Sequence, residues 1–237
     1  MPQIDLTMTG RWLLAGWLAA VALFLGAPSV DLAISGLFWD QGWALSDRWV
    51  WEFLRQRVWD VSILLFLASP FALWRALARR RAVLGLPARA WGFLFTLYLL
   101  VPGLLVNGYL KAHSGRARPG DVAEFGGAHL FSPAGTFTDQ CARNCSFVSG
   151  EVSAATVLGV ALWLWASLAR SLEGWQRVYL RVLGVAVVVF TAVQRVMTGR
   201  HFPSDAVFAA LITLTAAWAL AAVFSGQAGR ALAARRG

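Results

Sequence analysis

Apolar residues along this chain gather into six long runs, and the segments between them hold most of the charge. A bilayer core of about 30 Å needs about 20 apolar residues per helical crossing. The runs at 12–30, 58–77, 90–110, 147–168, 178–197 and 206–224 meet that length. Between them the pattern shows neither the alternation of a half-buried strand nor a repeat, low-complexity tract or linker. The expected fold is all-α: a polytopic membrane protein, with six transmembrane helices in one bundle, forming a single domain over residues 1–237. The segment 47–59 reads as an added interfacial amphipathic helix. Arg48, Glu52 and Arg55 share one face there, and Trp51, Leu54 and Val58 share another. The first run follows Arg11 as a signal peptide's would. It lacks a basic leader and a small-x-small cleavage site, so it is expected to remain as a span.

Composition sharpens the membrane reading. The chain is 58% hydrophobic and 14% charged, against about 25% charged in soluble domains. Its 13 tryptophans suit rings placed at two membrane–water interfaces. The net charge of +9 does not point to nucleic acid, because the arginines lie in loops between spans and form no continuous run. They also orient the chain. Arg75, Arg79, Arg80, Arg81 and Arg89 flank the second loop, Arg170 and Arg177 the fourth, and Arg230, Arg235 and Arg236 the tail. By the positive-inside rule these are cytoplasmic, with both termini. The segments 31–57, 112–146 and 198–205 then face outward, toward the periplasm of a bacterial-type inner membrane.

The outward face carries the candidate chemistry. Lys111 is the only lysine in a chain that otherwise uses arginine, and it opens the cationic stretch that ends at Arg118-Pro119. The next span begins near Ser149-Gly150-Glu151, the following one ends at Arg195, and the last begins just after His201 and Asp205. Residues remote in sequence thus meet at one membrane depth, where charge is costly and marks function. Lys111, Arg118 and Arg195 match the oxygens of a phosphate group in charge. Ser149 and Gly150 sit where a helix N-terminus favours an anion, although Ser149 alone also reads as a plain cap. His201 and Asp205 stand four apart, so a carboxylate can hold one ring nitrogen and leave the other to attack phosphorus. Cys141 and Cys145 share an outward loop, where a local disulfide is expected over free thiols or a zinc site.

These residues resemble the signature of the type 2 phosphatidic acid phosphatase superfamily. Its first block, Lys, six residues, Arg-Pro, is matched by Lys111, Arg118 and Pro119. Its second, Pro-Ser-Gly-His, reads here Val148-Ser149-Gly150-Glu151. Its third, Ser-Arg, five residues, His, three residues, Asp, reads here as Gln194-Arg195, His201 and Asp205. The resemblance covers about residues 58–224. It implies a phosphoryl transfer that needs no metal or cofactor. His201 would form a phosphohistidine and Asp205 would orient it. Lys111, Arg118, Arg195, Ser149 and Gly150 would hold the phosphate. In the family the second-block histidine protonates the leaving oxygen. Glu151 stands in its place, either as that acid or as a group that orders Lys111 or an arginine. Gln194 and Val148 are expected to alter packing alone.

A transporter would place ionisable groups along the spans, whose middles here are nearly free of charge. An anchor would not need the three blocks. The expected partner is a phospholipid or isoprenoid-lipid phosphate: phosphatidate, phosphatidylglycerophosphate, undecaprenyl diphosphate or a lipid A phosphate. A relative that transfers phosphate between lipids is the alternative. Nothing in the sequence sets the oligomeric state.

Overall fold

A computed structural model describes residues 5–46 and 48–226. Both termini, the tail residues Arg230, Arg235 and Arg236, and Asp47 lie outside the described residues. Six helices are long and apolar enough to cross a membrane. In chain order, with one short helix between the first two, they are α1 (Leu6–Gly26), α2 (Ser29–Gly36), α3 (Trp49–Arg79), α4 (Ala88–His113), α5 (Gly150–Leu168), α6 (Gly174–Met197) and α7 (Pro203–Phe224). The described residues hold isolated bridges but no sheet. The chain is a multi-pass membrane protein.

Two boundaries correct the reading from sequence. The run at 12–30 is not one helix: it ends at Gly26, and α2 carries residues 29–36 separately. The segment expected as a separate interfacial helix is the first turns of α3, which runs unbroken for 31 residues. No glycine or proline falls between Trp49 and Ser69 to stop it. At 1.5 Å per residue α3 is about 46 Å long, so its leading end rises past a hydrocarbon layer of about 30 Å. Pro70 sits inside α3 and cannot donate to the carbonyl one turn back, but the Ser69 hydroxyl donates to that Phe66 oxygen at 2.7 Å.

α4 is wound as a π-helix over Leu99–Leu110, around Pro102. There the Asn107 side-chain amide donates to the Pro102 oxygen at 2.6 Å. α5 is the most buried span and forms the centre of the bundle. It crosses α6 backbone to backbone: a Cβ on Gly159 would lie 2.7 Å from the Gly184 oxygen. α1 lies on α7, tied by Trp17 Nε1 donating to Thr215 Oγ1 and Trp218 Nε1 donating to the Leu6 oxygen, both at 2.9 Å. Large apolar side chains such as Leu14, Leu64, Val182 and Val185 stay exposed on the outer faces, where acyl chains would cover them.

Above one end of the bundle, residues 37–46 and the 114–149 loop build a second small core. Ala117, Val122, Phe125 and Phe202 form it, against Leu32, Trp39, Trp43 and Phe131. Gly199 has a φ of 65° and sits so close to the Trp43 ring that a Cβ would fall 2.1 Å from it. This cap fixes the 198–202 turn, and with it His201.

Candidate functional site

A pocket of about 280 Å³ opens at the capped end of the bundle. Lys111, Arg118, Gly150, Glu151, Arg195 and His201 line it, drawn from α4, α5, α6 and two loops. A larger cavity of about 650 Å³ lies between α1, α5, α6 and α7, but its lining is almost wholly apolar. The smaller pocket gathers the polar chemistry, so it is the candidate site.

His201 is buried at 3% exposure, with Nδ1 2.8 Å from the Ser146 carbonyl oxygen. A carbonyl only accepts, so Nδ1 carries the proton and Nε2 keeps its lone pair. Burial pushes the imidazole pKa down to about 4, and the Lys111 and Arg118 charges act the same way against Asp205. The expected contact with Asp205 is looser, at 3.7 Å from Nδ1. Asp205 instead accepts from Ser146 Oγ at 2.5 Å, from the Phe202 amide at 2.9 Å and from Arg116 at 2.6 Å. It therefore holds the ring largely through Ser146.

Arg116 is fully buried and joins three elements. Its guanidinium donates to Asp205, to Ser204 Oγ at 2.9 Å and to Asp31 Oδ2 at 2.8 Å, and it stacks 4.4 Å from the Phe202 ring. Asp31, on α2, accepts in turn from the Ser204 amide at 2.9 Å and the Ser204 hydroxyl at 2.5 Å. Burial raises the Asp31 pKa, and Arg116 opposes it. Neither Arg116 nor Asp31 was singled out from the sequence. Arg116 hid two residues before Arg118 in a loop already rich in cations. Asp31 was a lone carboxylate at the end of an apolar run, and that position was the available signal.

The residues expected to bind an anion divide. Lys111 Nζ donates to Asn144 Oδ1 at 3.1 Å, and Arg118 donates to the Asn144 carbonyl at 2.9 Å. Burial, and after it the Arg200 charge, lower the Arg118 pKa against Asp121, Glu151 and Asp205, which raise it. Arg200 itself lines the pocket and adds a cation that the sequence reading passed over. Gly150 forms part of the wall at the N-terminus of α5, where the first amides lack intrahelical partners. Ser149 is not among the lining residues; it is buried, and its hydroxyl caps α5 by accepting from the Val152 amide.

Glu151 lies between two guanidiniums, accepting from Arg195 at 3.2 Å and Arg55 at 3.0 Å. Arg55 also pairs with Glu52, which lies 3.6 Å from Arg195. Two residues of the polar face expected at the membrane surface, Glu52 and Arg55, thus lie behind the pocket lining and pair with Arg195 and Glu151. Gln194, expected to alter packing alone, accepts from Arg195 Nε at 2.7 Å. Val148 is fully buried in the apolar core. Cys141 and Cys145 are joined in a disulfide, with Cα atoms 5.6 Å apart. Among the described residues no three His, Cys, Asp or Glu side chains are arranged to hold a metal ion.

Comparison with known proteins adds a family. The family model described as PAP2 superfamily matches residues 89–228. A lipid A 4'-phosphatase of Francisella tularensis subsp. novicida is 27% identical, over 84% of this chain and 88% of its own length. Lipid A 4'-phosphatases of Rhizobium etli and Rhizobium leguminosarum are 30% and 28% identical, over 84% and 89% of this chain and 84% and 94% of their own. No solved structure matches the chain.

Proposed function

This chain belongs to the PAP2 superfamily, and we propose that it removes a phosphate monoester from lipid A at the periplasmic face of a bacterial inner membrane. It is a membrane lipid phosphatase; the substrate, the orientation and the residue roles are our reading. The observation that carries the reading is a buried imidazole whose Nδ1 faces the Ser146 carbonyl, in a pocket walled by Lys111, Arg118 and Arg195.

In this reading His201 Nε2 attacks phosphorus as the bond to the lipid oxygen breaks, and water then releases phosphate from the phosphohistidine. The three cations and the Gly150 amide receive the charge on the equatorial oxygens. Ser149 helps by holding the end of α5. No metal is required. Glu151 accepts hydrogen bonds from two guanidiniums, those of Arg195 and Arg55. That favours Glu151 as the group that orders Arg195 over a proton donor to the leaving oxygen. Turnover kept in Glu151→Gln with an unactivated lipid would support the ordering role, and turnover lost only there would support the acid. Arginines at the opposite end of the bundle, around the 80–87 and 169–173 turns, favour that end as cytoplasmic.

The test is phosphate release by purified protein in detergent, with chelator, across lipid A, undecaprenyl diphosphate, phosphatidylglycerophosphate and phosphatidate. We expect release from lipid A and a loss of about a thousandfold or more in His201→Ala. Release from another lipid would reassign the substrate. Transfer to a lipid acceptor without free phosphate would make the protein a transferase.

A further inference from the structure

Residues 144–146 touch Lys111, Arg118, Arg116, His201 and Asp205 in succession. Asn144 accepts from Lys111 through its side chain and from Arg118 through its carbonyl. The Cys145 amide donates to the Lys111 carbonyl at 3.1 Å, and the Ser146 amide donates to that of Arg116 at 2.9 Å. Ser146 then holds both His201 and Asp205. Such a strand of loop, outside any helix or sheet, needs something to fix its start. The disulfide does so, closing residues 141–145 into one small ring whose inner end, Cys145, is fully buried. Within that ring Asn144 has a φ of 54°, a left-handed conformation that asparagine tolerates better than most residues.

From this we infer that Asn144, clipped in place by the Cys141–Cys145 disulfide, is a positioning residue that sets Lys111 and Arg118 for the phosphate. The inference rests on the reading of those two cations as phosphate ligands. Its chemistry turns on Asn144 being neutral. The ammonium of Lys111 has three N–H groups; an amide oxygen takes one without cancelling the charge, and the others remain for the incoming anion. A carboxylate at the same place would fix Lys111 equally well and neutralise it. The Asn144 carbonyl similarly restrains one arm of Arg118 and leaves its charge intact.

The experiment measures phosphate release from lipid A by the full-length protein as wild type, Cys141→Ser with Cys145→Ser, Asn144→Ala and Asn144→Asp. Inhibition by inorganic phosphate is the second readout, and the thermal midpoint in detergent reports folding. The double-serine and Asn144→Ala proteins should lose roughly ten- to a hundredfold in kcat/KM, the worth of one hydrogen bond to a charged group. Phosphate inhibition should weaken in parallel while Asn144→Ala keeps the wild-type midpoint. Asn144→Asp should fall below Asn144→Ala. Dithiothreitol should bring wild type to the level of the double-serine protein and leave that protein unchanged. With Lys111→Ala as the control, wild-type turnover and phosphate inhibition in the double-serine and Asn144→Ala proteins, while Lys111→Ala is inactive, would overturn the clamp. An active Lys111→Ala would overturn the phosphate-site reading itself, and the clamp with it. Should the double-serine protein fail to fold, the two Asn144 variants decide, because both retain the disulfide.

Discussion

His201 carries two constraints that a solution histidine lacks: a carbonyl that fixes its tautomer and a burial that holds it neutral. Its pKa lies at about 4, below the ordinary 6.5. Protonation blocks Nε2, so the proposed nucleophile is present above about pH 4 and lost as pH falls through that value. The acid limb of kcat/KM should therefore have its midpoint near 4, and a midpoint near 6.5 would show that the imidazole is not held this way. Asp31 makes a second residue-scale prediction. Asp31→Asn leaves Arg116 with one carboxylate in a fully buried network. Breaking such a pair costs about 3–5 kcal/mol, so the unfolding midpoint should drop and turnover with it. An unchanged midpoint would mean that Asp205 and Ser204 suffice to seat Arg116. The signature residues were legible because their spacing is local, in blocks a few residues long. Asp31 was not, because its partner Ser204 stands 173 positions away.

At the scale of elements, hydropathy located every span but not its ends. A helix keeps its hydrogen bonds through polar turns, which an apolar window leaves out. α1 begins at Leu6 because Asp5 caps it, accepting from the Met8 amide at 2.9 Å. α2, with eight residues, is too short for a window of membrane length. The π-wound part of α4 was also invisible. It aims Asn107 at α5, and a Cβ on Gly150 would lie 2.8 Å from Asn107 Oδ1. Gly150→Ala should push Asn107 from the wall and disturb the α5 N-terminus beside it. We expect kcat/KM to fall about tenfold, with a stability loss of about 1–3 kcal/mol. Wild-type kinetics in Gly150→Ala would show that the wall gives freely.

For the molecule as a whole, site geometry depends on how α5 and α6 cross, since Glu151 lies on one and Arg195 on the other. That crossing is set by Gly159 against Gly184, far from the pocket. Gly159→Leu should force the helices apart, lowering the midpoint by the equivalent of at least about 1–3 kcal/mol and reducing turnover without touching the site. Retained stability with wild-type turnover would place the control of the pocket elsewhere. The pattern of runs predicted the bundle; the glycine contact needed coordinates, because glycine leaves no mark in a hydropathy profile.

The pocket lies at one end of the bundle, and a large apolar cluster, with no buried charged side chain among its described residues, fills the core between that end and the other. A phosphate cannot cross such an interior, so the protein can act only on headgroups that have already arrived on the pocket's side. With the pocket facing the periplasm as proposed, a lipid assembled on the cytoplasmic face would reach it only after crossing the membrane. A product missing its phosphate would then serve as a record that translocation has taken place.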